Sequence, residues 1–302
     1  MDIYLPIAGM SVNAVLIIAL GGLVGVLSGM FGVGGGFLTT PLLIFYGIPP
    51  TVAVASATTQ ITGASVSGAF AHMRRGGVDL KMGAVMTAGG ALGSLVGAGL
   101  FRLLQNTGQI DLVIGFLYVV LLGGIGGLML KDAMVALGWI ALDEPEERPR
   151  HNRWVASLPL RWRFYASGLY LSPIAPLALG FVAGIMTVLL GIGGGFIMVP
   201  AMIYLLGMAP RVVVGTSLMM ILAISAVTTM IHATTTQAVD IVLAGLLLIG
   251  GVVGAQYGAI LTTRLKPDLL RFALAGIILA VALRMLLGLT WRPDEIFTIA
   301  YL

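Results

Sequence analysis

The chain is written twice. Gly21, Gly25, Gly32, Gly34, Gly35, Gly36, Phe37 and Pro41 recur 159 positions later as Gly180, Gly184, Gly191, Gly193, Gly194, Gly195, Phe196 and Pro200. After one inserted residue, Gly47, Pro50 and His72 match Gly207, Pro210 and His232. After one more, Asp79, Gly89, Gly90, Gly93 and Gly97 match Asp240, Gly250, Gly251, Gly254 and Gly258. Glycine bias alone would not reproduce the Phe, Pro, His and Asp in the same order. Each copy holds five apolar runs: 12–31, 36–47, 51–72, 80–104 and 110–131, then 172–190, 195–207, 211–232, 241–263 and 268–290. An odd number of crossings per copy turns the second copy upside down relative to the first.

Runs of this length suit a bilayer, whose hydrocarbon core takes ~20 apolar residues to cross as a helix. Composition agrees: 59% of residues are hydrophobic, 9% are charged, and the mean hydropathy is +1.06. Soluble domains carry about 25% charged residues, so too little charge is available to coat a water-soluble protein of this size. The expected fold is an all-α membrane protein made of two inverted-topology repeats of about five helical segments. Repeat one covers 1–131, a polar linker 132–171, and repeat two 172–302. The absence of Cys removes disulfides, thiolate metal sites and catalytic thiols. The first residues, Met1 to Pro6, lack the basic stretch of a cleaved signal peptide, so the first run is expected to stay as a helix.

The net charge of +4 could suggest nucleic acid, but the basic residues lie between the apolar runs. Thirteen of the 16 Lys and Arg fall on one side of the expected membrane: Arg74, Arg75, Lys81, Lys131, five Arg between 148 and 163, Arg211, Arg264, Lys266 and Arg271. Arg102 and Arg292 fall on the other, and Arg284 lies inside the last run. Cytoplasmic loops carry the excess of Lys and Arg. Equivalent loops show the inversion directly. His72-Met73-Arg74-Arg75-Gly76 becomes His232-Ala233-Thr234-Thr235-Thr236, while the loop around Arg102 becomes one with Arg264, Lys266 and Arg271. Both termini are expected outside and the linker, with Asp143-Glu144-Pro145-Glu146-Glu147-Arg148, in the cytoplasm. Trp154 to Tyr170 suits the headgroup interface.

Each copy joins its first two runs through a glycine cluster, and the run that follows is short. At about 1.5 Å per residue, 36–47 reaches only about 18 Å of the ~30 Å core. A hairpin turning back inside the membrane would place helix N-termini at the glycines. Such termini carry unpaired N–H groups and the positive end of the helix dipole, and so suit anions. The same glycines also suit plain tight turns and helix packing, and both readings stand. Neither cluster is a dinucleotide fingerprint, since Phe37 follows where glycine is needed. The third run is rich in hydroxyls, with Ser56, Thr58, Thr59, Gln60, Thr62, Ser65 and Ser67, and its equivalent carries Thr216, Ser217, Ser225, Thr228 and Thr229. Gln256 stands alone in an apolar run. Glycines at every fourth position permit close helix contact. Asp79 and Asp240 are placed as N-caps, and His72 and His232 as candidate gates or hydrogen-bonded interfacial residues. No Asp or Glu lies mid-run, where proton relays sit, and no Walker A sequence is present.

The paired Gly-x-Gly-Gly-Gly-Phe-x-x-x-Pro motifs, the Ser56 and Thr216-Ser217 helices, His72 and His232, and Val239-Asp240-Ile241 followed by Gly250 to Gln256 resemble the TauE/SafE family. Copy one departs from the Thr-Ser pattern, reading Ala55-Ser56-Ala57-Thr58-Thr59. The resemblance implies a multi-pass permease of the bacterial inner membrane that exports sulfite, sulfoacetate or related organosulfonates. No enzyme activity, cofactor, metal or nucleic acid is expected; the partners are the anion, the lipid bilayer and, as an open question, a second copy of the chain. The expected binding residues are Gly34, Gly35, Gly36, Phe37, Ser56, Thr59, Gln60, Gly193, Gly194, Gly195, Phe196, Thr216, Ser217 and Gln256, with His72 and His232 as gates. The alternatives are transport of another small solute, such as a different organic anion, a cation or a metal, and a non-transport assembly subunit.

The orientation is directly testable in a chain without cysteine. Arg75→Cys is expected to react with an impermeant maleimide only from the cytoplasmic face, and Thr235→Cys only from outside. Labelling of both from one face would remove the inversion.

Overall fold

The computed structural model describes residues 2–31, 36–74, 76–139, 159–262 and 267–290. A hairpin of β1 (Asp2–Leu5) and β2 (Met10–Asn13) leads into α1 (Ala14–Phe31), α2 (Gly36–Phe45), α3 (Pro50–Arg74), α4 (Leu80–Asn106) and α5 (Ile110–Ala136). A second hairpin, β3 (Trp162–Phe164) and β4 (Leu169–Leu171), leads into α6 (Ile174–Leu190), α7 (Gly195–Tyr204), α8 (Pro210–Ile231), a π-helical turn (His232–Thr236), α9 (Ile241–Thr262) and α10 (Pro267–Thr290). Glycines Gly34 and Gly35, Arg75 and the acidic linker around 143–148 lie outside the described residues.

Local chemistry sets these boundaries. Asn13 caps α1, its Oδ1 accepting from the N–H groups of Val15 at 3.1 Å and Leu16 at 3.3 Å. Pro210 opens α8, where its missing N–H costs nothing. Gly191 closes α6 at φ +68°, and Gly194 opens α7 at φ +77°, a backbone region that favours glycine. Among the described residues, five helical stretches are long and apolar enough to cross a membrane: Leu80–Asn106, Ile110–Ala136, Val212–Thr236, Ile241–Gly258 and Phe272–Thr290. Stretches Ala14–Met30 and Ile174–Leu190 are apolar but shorter. Helices α2 and α7 have 10 residues each. They reach about 15 Å, shorter still than the runs that encode them.

The all-α expectation needs correction at the two hairpins. β1–β2 and β3–β4 are both antiparallel and both stand directly before the first helix of a copy. The second lies inside the stretch expected as linker, so the structural repetition begins near Trp162. Lys81 fixes this hairpin, its Nζ donating to the Arg163 carbonyl at 3.2 Å and lying 5.0 Å over the Trp162 ring.

The main packing pairs are α1 with α9, α4 with α6, α3 with α8, and α5 with α10. Every pair takes one helix from each copy. Glycine ladders bring the first two pairs into backbone contact. Gly21, Gly25 and Gly29 lie on the backbone of Leu247, Gly251 and Ala255, while Gly89, Gly93 and Gly97 meet Leu177, Phe181 and Ile185. Residue numbers rise together along both ladders, so these pairs run parallel. The pairs of equivalent helices run the other way. Thr62 meets Thr229 and Gly68 meets Leu218 across α3 and α8; Gly115 meets Leu289 and Gly126 meets Ile278 across α5 and α10. Both pairs are antiparallel.

Two aspartates clasp the assembly. Asp79 caps α4 by accepting from Met82 N–H at 3.0 Å, while its own N–H donates to the Thr216 hydroxyl of α8 at 2.9 Å. Its second oxygen accepts the Ser167 N–H at 3.0 Å and the Ser167 hydroxyl, tying down the second hairpin. Asp240 repeats the arrangement. It accepts from Leu243 N–H at 3.1 Å, donates to the Ser56 hydroxyl of α3 at 3.1 Å, and accepts the Ile7 N–H of the first hairpin at 3.1 Å. Both are buried, at 2% and 0% exposure, which requires this full hydrogen bonding.

Gly25→Ala would drive its Cβ into the Gly251 carbonyl, whereas a Cβ on Gly245 meets nothing within 4 Å. Gly25→Ala is expected to lower the melting temperature in detergent, and Gly245→Ala to leave or raise it, since Ala is favoured over Gly within helices by about 1 kcal/mol. Asp240→Ala is expected to destabilise by about 1–3 kcal/mol through lost capping and orphaned donors, read by thermal unfolding. Asp79→Ala should match it.

Candidate functional site

The two glycine clusters converge. Phe37, the second residue of α2, stacks on Phe196, the second residue of α7, with ring centroids 4.4 Å apart and planes 7° from parallel. Both are buried. Each phenylalanine follows its copy's glycines directly, so this stack joins the starts of the two short helices. A Cβ on Gly36 would reach the Ile61 side chain and lie 2.9 Å from the Gly191 carbonyl oxygen, so the two chains touch here. Gly193, at φ +71°, lies between Ile61 and Ile221, which occupy equivalent places on α3 and α8. Gly194 faces Ala183 and Thr187 of α6.

Helix α7 begins at this junction. Its first N–H groups have no acceptor inside the helix, as at every helix start; the first closing bonds are Ile197 N–H and Met198 N–H to the Gly194 carbonyl, at 3.2 and 2.9 Å. The start of α7 thus presents donors and a positive dipole end within the protein interior. Around it lie hydroxyls and one amide. Thr39 donates to Gln60 Oε1 at 3.2 Å, and both are buried. Tyr118 on α5 donates to the Leu190 carbonyl, the last residue of α6. Thr40 is fully buried and its hydroxyl makes no hydrogen bond. It lies beside the Tyr118 hydroxyl and 3.1 Å from the place a Cβ would take on Gly191.

The expected binding residues separate by position. Gly36, Phe37, Gly193, Gly194, Gly195 and Phe196 meet at the junction, with Gln60 next to it; Gly34 and Gly35 lie outside the described residues. Ser56 and Thr216 are held in the two aspartate clasps. Thr59 returns its proton to the Ala55 carbonyl at 3.0 Å and Ser217 to the Val214 carbonyl at 3.0 Å, each inside its own helix. Gln256 is exposed on α9, away from the buried cluster. His232 is fully buried between α6 and the π-helical turn, with Nε2 3.1 Å from the Val188 carbonyl, Nδ1 3.2 Å from the Thr236 hydroxyl, and its ring edge-on to Phe101 at 5.0 Å. That is a fixed contact. His72 packs against Gly215 at the far end of the α3–α8 pair. Arg284 reaches along α10 toward Gly288, its guanidinium 5.2 Å over Phe45 in an open cleft that Asp111 also lines.

Three residues of this site escaped sequence reasoning: Thr39, Thr40 and Tyr118. The first two stand immediately behind the Gly-Phe motif. Comparing the copies position by position would have exposed them, because their equivalents are Met198 and Val199.

Known proteins are similar to this chain in sequence along most of its length. The chain is 29% identical over 273 residues to the probable membrane transporter protein YjnA of Bacillus subtilis (strain 168), covering 90% of this chain and 100% of that one. It is 27% identical over 284 residues to a probable membrane transporter protein of Xylella fastidiosa (strain Temecula1 / ATCC 700964), covering 93% and 96%. YunE of Bacillus subtilis, also named a probable membrane transporter protein, is 28% identical over 266 residues, covering 83% and 89%. No solved structure matches. Residues 17–285, from α1 to α10, match the model of the family described as sulfite exporter TauE/SafE, and the chain belongs to that family of multi-pass membrane transporters.

Proposed function

We propose that the protein is a permease of the bacterial inner membrane that exports small sulfur-containing anions, sulfite or organosulfonates such as sulfoacetate, by alternating access. The observation that carries this reading is the meeting of the two glycine clusters at the Phe37–Phe196 stack, with a helix start and uncharged donors around it. Neutral donors can hold an oxyanion without burying a fixed countercharge, whose desolvation would cost several kcal/mol.

Inverted repeats support the transport cycle in this proposal. Equivalent helices that meet antiparallel, α3 on α8 and α5 on α10, fit a pseudo-two-fold axis in the membrane plane, with substrate near the repeat interface. Rocking of one set of helices against the other would expose the junction to each face in turn. The excess of Lys and Arg supports a cytoplasmic linker with both termini outside. With the cell interior negative, expelling one negative charge is favourable by about 2.3 kcal/mol per 100 mV. Efflux then needs no coupled ion.

Counterflow in proteoliposomes tests this reading. Sulfite and sulfoacetate are expected to exchange saturably, with sulfate, taurine and lactate as comparisons, and an inside-negative potential is expected to raise net efflux. Phe37→Leu is expected to reduce exchange at least about tenfold, a loss of about 1.4 kcal/mol, with little change in melting temperature. A flux that follows only an imposed proton gradient and ignores voltage would refute the energy coupling. Absence of exchange for every sulfur anion would refute the substrate class.

A further inference from the structure

We propose that the protein has one anion subsite, not two symmetric ones: it sits at the start of α7, and its side-chain donors come from the opposite copy. The proposal rests on the anion-transport reading above and specifies where the oxyanion is held. Its central residue is Thr40. Burying a hydroxyl without a hydrogen bond costs about 1–3 kcal/mol, yet Thr40 is fully buried, unpartnered and beside Gly191, which closes α6 and begins the glycine cluster leading into α7.

The repeat supplies an internal control for this cost. Val199 occupies the position equivalent to Thr40, in a helix of the same length with the same proline one residue later. Val and Thr have nearly the same shape, and Val199, partly buried, shows that a short helix of this design forms without a hydroxyl at that position. The neighbouring positions differ in the same sense. Thr39 and Gln60, hydrogen-bonded to each other, are Met198 and Met220 in copy two, both buried. Gln and Met are also similar in length and unbranched. Three polar residues of α2 and α3 thus stand where their equivalents are apolar.

Geometry locates the subsite. Gly191 has no Cβ and takes φ +68°, which lets the Thr40 hydroxyl approach the loop backbone directly. The Tyr118 hydroxyl is alongside, spending its proton on the Leu190 carbonyl. An oxyanion at the α7 start would accept from the Thr40 hydroxyl and from the first N–H groups of the helix, giving that hydroxyl the hydrogen bond it lacks. Thr39 and Gln60 act as positioning residues that hold α2 against α3. On the other side, Val199 and Met220 offer no donor, and that half acts as an apolar seal.

Swapping residues between the copies tests the asymmetry. Purified protein is titrated with sulfite (under nitrogen) and with sulfoacetate, and counterflow is measured on the same variants. Wild type is expected to bind about one anion per chain. Thr40→Val, which installs the copy-two residue, is expected to weaken binding at least tenfold while keeping the melting temperature, and Thr40→Ser to retain binding within about threefold. Val199→Thr, its mirror image, is expected to change affinity less than twofold. Two anions per chain, equal losses from Thr40→Val and Val199→Thr, or no loss from Thr40→Val would overturn the one-sided site while leaving sulfur-anion transport standing. Wild-type protein that neither binds nor exchanges either anion would overturn both.

Discussion

Backbone-on-backbone contact between α1 and α9, and between α4 and α6, is the constraint on which the rest of the architecture depends. Lipid tails are as apolar as leucine side chains, so helices in a bilayer gain little from burying hydrophobic surface against each other. Close packing must supply the association instead. Glycine at every fourth position on both partners lets the carbonyls of one helix lie where Cβ atoms of the other would stand. Because each ladder joins a helix of one copy to a helix of the other, neither copy can separate without breaking both. The two halves of the sequence are interlocked.

The ladders leave the polar ends of the helices to be satisfied, and the two aspartates do this with one device used twice. Each caps its own helix, donates to a hydroxyl on the other copy, and accepts from a hairpin. A buried carboxylate supported by only one of these bonds would be costly. Three together anchor the hairpins at the entrances to the first helices. The core pairs fix the helices along their length; the clasps fix their ends. Between them lie the two short helices, which start at the glycine clusters and meet at the Phe37–Phe196 stack.

Much of this was legible in the sequence, and the physical reason is periodicity. Repeated glycines, apolar runs and an aspartate before a helix each encode local or pairwise geometry, and the structure uses Asp79, Asp240 and the glycine ladders in those roles. The hairpins were not legible. Their strands have three or four residues and owe their position to Asp79, Asp240 and Lys81, which are remote in sequence. Ser56 and Thr216 had the right chemistry for an anion but are held by Asp backbone N–H groups, a tertiary use that no local pattern announces. Thr40 was hidden for the opposite reason: a threonine pair in an apolar run looks like packing until one hydroxyl is found without a partner.

Asymmetry within a repeat is itself a physical signal. A duplicated fold repeats the same helix at equivalent positions, so apolar residues in one copy show what that helix can form with. Polar residues at the other copy's equivalents are then not required for the helix to form. Asp79 and Asp240 are identical in both copies because both ends of the fold need the same cap. Thr40 and Val199 differ, and a short helix forms with either. Under the proposal of a one-sided anion site, the copy carrying Thr39, Thr40 and Gln60 would hold the ion, and the copy carrying Met198, Val199 and Met220 would not. Within the two short helices, Thr39 and Thr40 against Met198 and Val199 exchange polar for apolar residues, and the proposed one-sided site rests on that difference.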